Sequence, residues 1–194
     1  MTKRYAPFLK PVPGGLPFSN GWILLATFGG IGLWRWGPGT AASLAALPLG
    51  WLLVETGGLT ALIVATAAVS VLGVAAGDYV ENHGGGKDPG SVVIDEVAGQ
   101  WLTLWLTLAI LTGLAKSHGT ISSPGVDGAA GPIGLILSFA AFRLFDITKP
   151  WPCSWADNRM RGGLGIMVDD LIAAVYAGVA VALIYVLLPV LHVS

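Results

Sequence analysis

Five long apolar runs, residues 40–54, 59–76, 97–115, 132–147 and 171–191, leave this chain few ways to fold. A hydrocarbon core of ~30 Å takes about 20 apolar residues in a helix, and the last run is long enough to cross it unaided. Only 11% of the residues are charged, against ~25% in a soluble domain, and the mean hydropathy is +0.74. The expected fold is all-α: a polytopic helical bundle in a membrane, about five spans in a single domain over residues 1–194. A further apolar stretch, residues 21–33, is rich in glycine and too short to span, which predicts an interfacial or re-entrant helix. In the Pro-rich segment before it, residues 1–20, Pro11, Pro13 and Pro17 break the apolar core that a cleavable signal needs.

Charge placement orients the bundle. Threading five spans through alternating sides gathers Lys3, Arg4, Lys10, Arg35, Lys87, Arg143, Lys149, Arg159 and Arg161 on one face and leaves only Lys116 opposite. The positive-inside rule makes the first face cytoplasmic. The same face collects every acid except Glu55 and Asp127, although acids played no part in the orientation. The outer loop at residues 116–131, rich in Gly and Ser, has linker composition and is expected to carry no catalytic residue. A net charge of −1 argues against nucleic acid as a partner, and a lone cysteine, Cys153, excludes an intrachain disulfide. His118 and His192 fall on the far face, and His83 stands alone in a Gly-rich loop, where a solvated ring is expected.

Two acidic pairs, Asp95-Glu96 and Asp169-Asp170, lie at the edges of apolar runs. At the centre of a membrane helix a carboxylate is disfavoured by ~2.5–3.5 kcal/mol, so such acids usually face a cation, a partner or a water-filled pocket. With Ser91 as N-cap, Asp95 and Glu96 fall about one turn into the third span. There the helix dipole favours negative charge whether or not a ligand is bound. Adjacent carboxylates diverge by ~100° around a helix, so one can reach a metal while the other orients it. Acid pairs from two helices make an oxygen-rich cage that suits Mg2+ or Mn2+ better than zinc.

Arg143 and Asp146 share a helix face, and Lys149 follows at an exit imposed by Pro150. The two cations can clamp phosphate oxygens, or snorkel beside Trp151 and Trp155. Gly37-Pro38-Gly39-Thr40, with Ser43, presents N–H groups and a hydroxyl at a helix start, a feature of anion sites and of ordinary turns alike. Gly162-Gly163-Leu164-Gly165 lacks a full nucleotide fingerprint.

In order, these segments resemble the bacterial phosphatidylglycerophosphatase A family: Gly37 to Thr40 with Ser43, Asp88-Pro89 through Asp95-Glu96, Phe142-Arg143 with Asp146 and Lys149-Pro150-Trp151-Pro152, and Gly162-Gly163 through Asp169-Asp170. The likeness runs from about Trp22 to Ala177; each motif is weak alone, and the ordered set is specific. It implies a Mg2+-dependent, all-helical lipid phosphatase of the bacterial inner membrane that converts phosphatidylglycerophosphate to phosphatidylglycerol and phosphate. The long 117–131 loop and the Pro-rich N-terminus depart from the family pattern without touching a motif.

The expected site therefore has Asp95, Glu96, Asp169 and Asp170 on one or two Mg2+ ions, with Asp146 as a further ligand or supporting acid. Arg143, Lys149 and Thr40 would bind the substrate phosphate. The nucleophile is water or an aspartate, Asp95 or Asp169. A divalent-cation transporter would need polar residues at mid-span and on both sides, and the far face is nearly empty of charge. A phosphatidyltransferase would carry several acids spaced along one helix, which this chain lacks.

Overall fold

The computed structural model describes residues 8–87, 89–117, 129 and 131–187. Most of the expected outer loop lies outside these residues, as do Lys3, Arg4, Asp88, His118 and His192. The named helices are α1 (Gly21–Ala26), α2 (Pro38–Val80), α3 (Ile94–Ser117), α4 (Pro132–Thr148), α5 (Cys153–Arg159) and α6 (Gly162–Leu187). Among the described residues no strand forms beyond an antiparallel bridge between Leu9 and Trp34. The fold is all-helical.

The first two apolar runs are joined in α2, whose 43 residues would extend about 65 Å if straight. Helical geometry fails at Gly58, at φ 67° and ψ −171°, a conformation open essentially to glycine alone. Gly39 packs against Glu96, and Gly73 against Ile94 and Met167, so both ends of α2 reach the N-terminal end of α3. The chain must therefore fold back on itself at Gly58. The first arm is pinned where the Trp101 indole N–H donates to Ala46 O at 2.8 Å.

Three stretches, residues 38–84, 94–117 and 162–187, are long and apolar enough to cross a membrane. In the most apolar part of the first, only 22% of the residues are buried within the protein, and the outward side chains there include Val64, Val71 and Leu72. Water would penalise so much apolar surface; lipid does not. α4 has 17 residues, about 25 Å, slightly short of the hydrocarbon thickness. Residues 21–33 form the short α1, a glycine turn and a single 3-10 turn at Ile31–Leu33, none long enough to cross.

α3 and α6 form the centre. Small and hydroxylated residues let their backbones approach, the usual solution where lipid supplies no hydrophobic drive. Gly99 faces Phe142 and the carbonyl of Asp170, and Gly178 faces Leu106. Thr103 and Thr107 donate to Gly99 O and Thr103 O on their own helix at 2.9 and 2.8 Å, and lie 3.4 and 3.2 Å from Ala174 O and Gly178 O on α6.

Gly162-Gly163 serves the same purpose at the start of α6. Gly163 N–H donates to Asp78 Oδ1 at 2.7 Å, so a carboxylate on α2 caps the helix from outside. A methyl group on Gly163 would strike the carbonyl of Val74. Gly163→Ala is expected to cost about 1–3 kcal/mol, seen as a lower midpoint of thermal unfolding in detergent. An unchanged midpoint would show that this helix contact is not tight.

Candidate active site

α3 begins at Ile94, three residues beyond a Ser91 cap, because Ser91 and Val92 turn back to hydrogen-bond Pro89 O. Val93 N–H then donates to Ala26 O, so α1 steers the approach to the helix. Asp95 and Glu96 thus stand in the first turn of α3. Asp169 and Asp170 lie about two turns inside α6, deeper than a position just before the span, because the Asp78 cap starts that helix at Gly162.

These elements enclose a cavity of about 340 Å³. Its wall includes Asp95, Glu96, Asp169, Asp170, Asp146, Arg143 and Lys149, together with the backbone of Gly37, Pro38 and Gly39. Oxygens of Asp95, Glu96 and Asp170 lie within 4.8 Å of one another. Asp95 Oδ1, Glu96 Oε2 and Asp170 Oδ2 are buried without a hydrogen-bond partner. Gln100, wholly buried one turn deeper than Glu96, leaves both amide atoms without one. Buried acceptors are normally satisfied, and carboxylates this close repel unless a cation or shared protons intervene.

The other acids take different partners. Asp169 Oδ2 accepts from Lys149 Nζ at 2.7 Å, so it stands beside the three-acid cluster instead of joining it as a fourth equal member. Lys149 also donates to Asp157 Oδ1 at 2.7 Å. Burial opposes the Lys149 charge, but the two carboxylates outweigh it and hold the ammonium pKa above its ordinary value. Lys149 reaches both acids because α4 stops at Thr148 and the lysine takes a left-handed backbone, φ 42°, before Pro150. Helix cannot continue easily into a proline, so the side chain leaves the α4 face and turns towards α5 and α6. Arg143 Nη1 lies 2.6 Å from Asp146 Oδ2, an ion pair off the angle of a hydrogen bond, while its buried Nε has no partner.

Thr40 is exposed and absent from the cavity wall, which the backbone of Gly37 to Gly39 forms instead. In the first helical turn its hydroxyl lies beside Gly37. Gly39 leaves room for the site: a Cβ there would overlap the Glu96 carboxylate and lie 3.4 Å from Arg143 Nη1. Asp157 and Asp78 were missed as contributors. Asp78 had a signal, an acid closing an apolar run, whereas nothing in the sequence links Asp157 to Lys149 across a proline-rich turn.

An integral membrane protein whose buried acids and cations share one cavity is the class that fold and site define. The chain belongs to the phosphatidylglycerophosphatase A family, whose pattern it matches over residues 24–185. It is 35% identical over 165 residues to phosphatidylglycerophosphatase A of Escherichia coli, covering 82% of this chain and 81% of that protein. The Haemophilus influenzae protein of the same name is 34% identical over 158 residues, 81% of this chain and 85% of its own. A Bacteroides thetaiotaomicron relative bearing the name "Putative phosphatidylinositol-3-phosphatase" is 34% identical over 163 residues, 82% and 91% of the two chains. No solved structure matches the chain.

Proposed function

We propose that this protein is a Mg2+-dependent phosphatase of the bacterial inner membrane that hydrolyses phosphatidylglycerophosphate to phosphatidylglycerol and phosphate. The observation that carries the reading is the trio of buried, unpartnered carboxylate oxygens on Asp95, Glu96 and Asp170, set beside Arg143 and Lys149 in one cavity. An all-oxygen donor set fits a hard divalent cation. When bound, Mg2+ would neutralise phosphate oxygens and make a bound water more acidic.

The chain's own groups do the rest. Arg143 has an unspent Nε–H to offer a phosphate oxygen, with Asp146 fixing the guanidinium. Lys149, anchored by Asp157 and Asp169, brings a second positive charge to the phosphoryl group. The cavity wall holds no Ser, Thr, Cys or His among the described residues, so attack falls to water or to a wall carboxylate.

Five crossings suit the geometry: two arms of α2 meeting at Gly58, then α3, α4 and α6. This threading puts Lys10, Arg35, Lys87, Lys149, Arg159 and Arg161 on the cytoplasmic side with the cavity. The test is phosphate release from phosphatidylglycerophosphate by purified protein with Mg2+ and with EDTA. Metal-dependent release is expected; a folded preparation that releases none under either condition would overturn the assignment.

A further inference from the structure

Exposure varies along the cavity wall: Asp95, Asp169 and Asp170 are buried, whereas the more open members include the exposed Lys87 and Arg161 with the half-buried Lys10, Glu81 and Asp157. Arg143 and Lys149 are matched by carboxylates, but among the described residues no ion pair joins the three outer cations to one. Lys10 Nζ donates to Gly90 O at 2.7 Å and Lys87 Nζ to Asp157 O at 3.3 Å, both neutral carbonyls. Each contact ties together distant parts of the chain, so both ammonium groups are held at the mouth with their charge unspent. The N-terminal segment is docked as well, with Lys10 N–H on Leu33 O at 2.6 Å and Arg35 N–H on Phe8 O at 3.1 Å. Lys10 lies before the residues that match the family, so this part of the rim falls outside the matched pattern.

Phosphatidylglycerophosphate carries two phosphates: the terminal monoester and, one glycerol unit away, a phosphodiester that joins the headgroup to the lipid. We propose that Lys10, Lys87 and Arg161 form an anion subsite for that phosphodiester and so select a two-phosphate lipid over phosphatidate, which has the monoester alone. The proposal rests on the phosphatase reading above. A phosphodiester keeps its single negative charge throughout the reaction, so the contact is equally strong before and during bond cleavage. It therefore lowers KM and leaves kcat alone.

The test compares wild type with a Lys10→Ala, Lys87→Ala, Arg161→Ala triple variant on both lipids in mixed micelles. Exposed charge contacts are individually weak, so their joint loss is expected to lower the ratio of kcat/KM for phosphatidylglycerophosphate to that for phosphatidate by about tenfold, through KM. Charge-keeping replacements, Lys10→Arg, Lys87→Arg and Arg161→Lys, should retain the ratio. If phosphatidate is not turned over, its Ki as a competitor replaces its kcat/KM. An unchanged ratio overturns the subsite, and so does an equal loss on both lipids, which would mean that the rim senses only the charge of the interface. If wild type cleaves neither lipid, the phosphatase reading fails and binding decides the subsite. Tryptophan fluorescence is then titrated in EDTA with phosphatidylcholine vesicles containing either lipid, and equal affinity for the two overturns the proposal.

Discussion

Asp170→Asn and Asp95→Asn are each expected to lower Mg2+-dependent phosphate release by on the order of 10³-fold, because each removes a charge from the three-acid cluster at the centre of the cavity. Stability should move the other way. With no cation bound, three carboxylates within 4.8 Å repel in a buried setting, so neutralising one should raise the unfolding midpoint measured in EDTA. Wild type should gain from Mg2+ by mass action, about 2.7 kcal/mol at a hundred times Kd, and the variants should lose most of that gain. A variant that stays inactive yet keeps the full Mg2+-induced shift would remove the altered residue from the metal site. These paired measurements separate a damaged fold from a lost ligand, which activity alone cannot do.

Although it introduces no charge, Gly39→Ala should also damage turnover, about tenfold less than the two Asn substitutions. The added methyl group would occupy the place of the Glu96 carboxylate, and Arg143 Nη1 stands close on the same side. Backbone on the first arm of α2 cannot yield easily, since Ser43 Oγ donates to Gly39 O at 2.9 Å and Trp101 holds Ala46. Glu96 must then swing out of the cluster. Misplacement of a reacting group by an ångström can cost about 10²-fold, and a loss of that size in kcat/KM is expected with little change in thermal midpoint. Full activity in Gly39→Ala would mean that the Glu96 position carries no chemistry.

Sequence reasoning found the helical class because apolar runs and sparse charge are properties of the chain itself. It also found every acid of the cluster and the Arg143–Asp146 pair, whose three-residue spacing is enough to bring them together on one helix. What it treated as equivalent, the structure distinguishes. Asp169 and Asp170 are neighbours in sequence, yet one meets Lys149 and the other meets Asp95 and Glu96, since adjacent residues on a helix point ~100° apart. Thr40 looked like the anion-binding group of its turn; the bare backbone of Gly37 to Gly39 reaches the cavity in its place.

By itself, then, the sequence determined that the chain is helical and apolar enough for a membrane, and which charged groups are too costly to be incidental. Tertiary structure alone decided how those groups divide into a cluster, a clamp and a rim. Asp95 and Asp170 are separated by 75 positions in the sequence, and only the crossing of α3 and α6 over Gly99 brings their oxygens together. Local rules act over a few residues of one helix, whereas a polar cavity is formed by contacts between helices, and the glycines that permit those contacts leave no signature of which partner they admit.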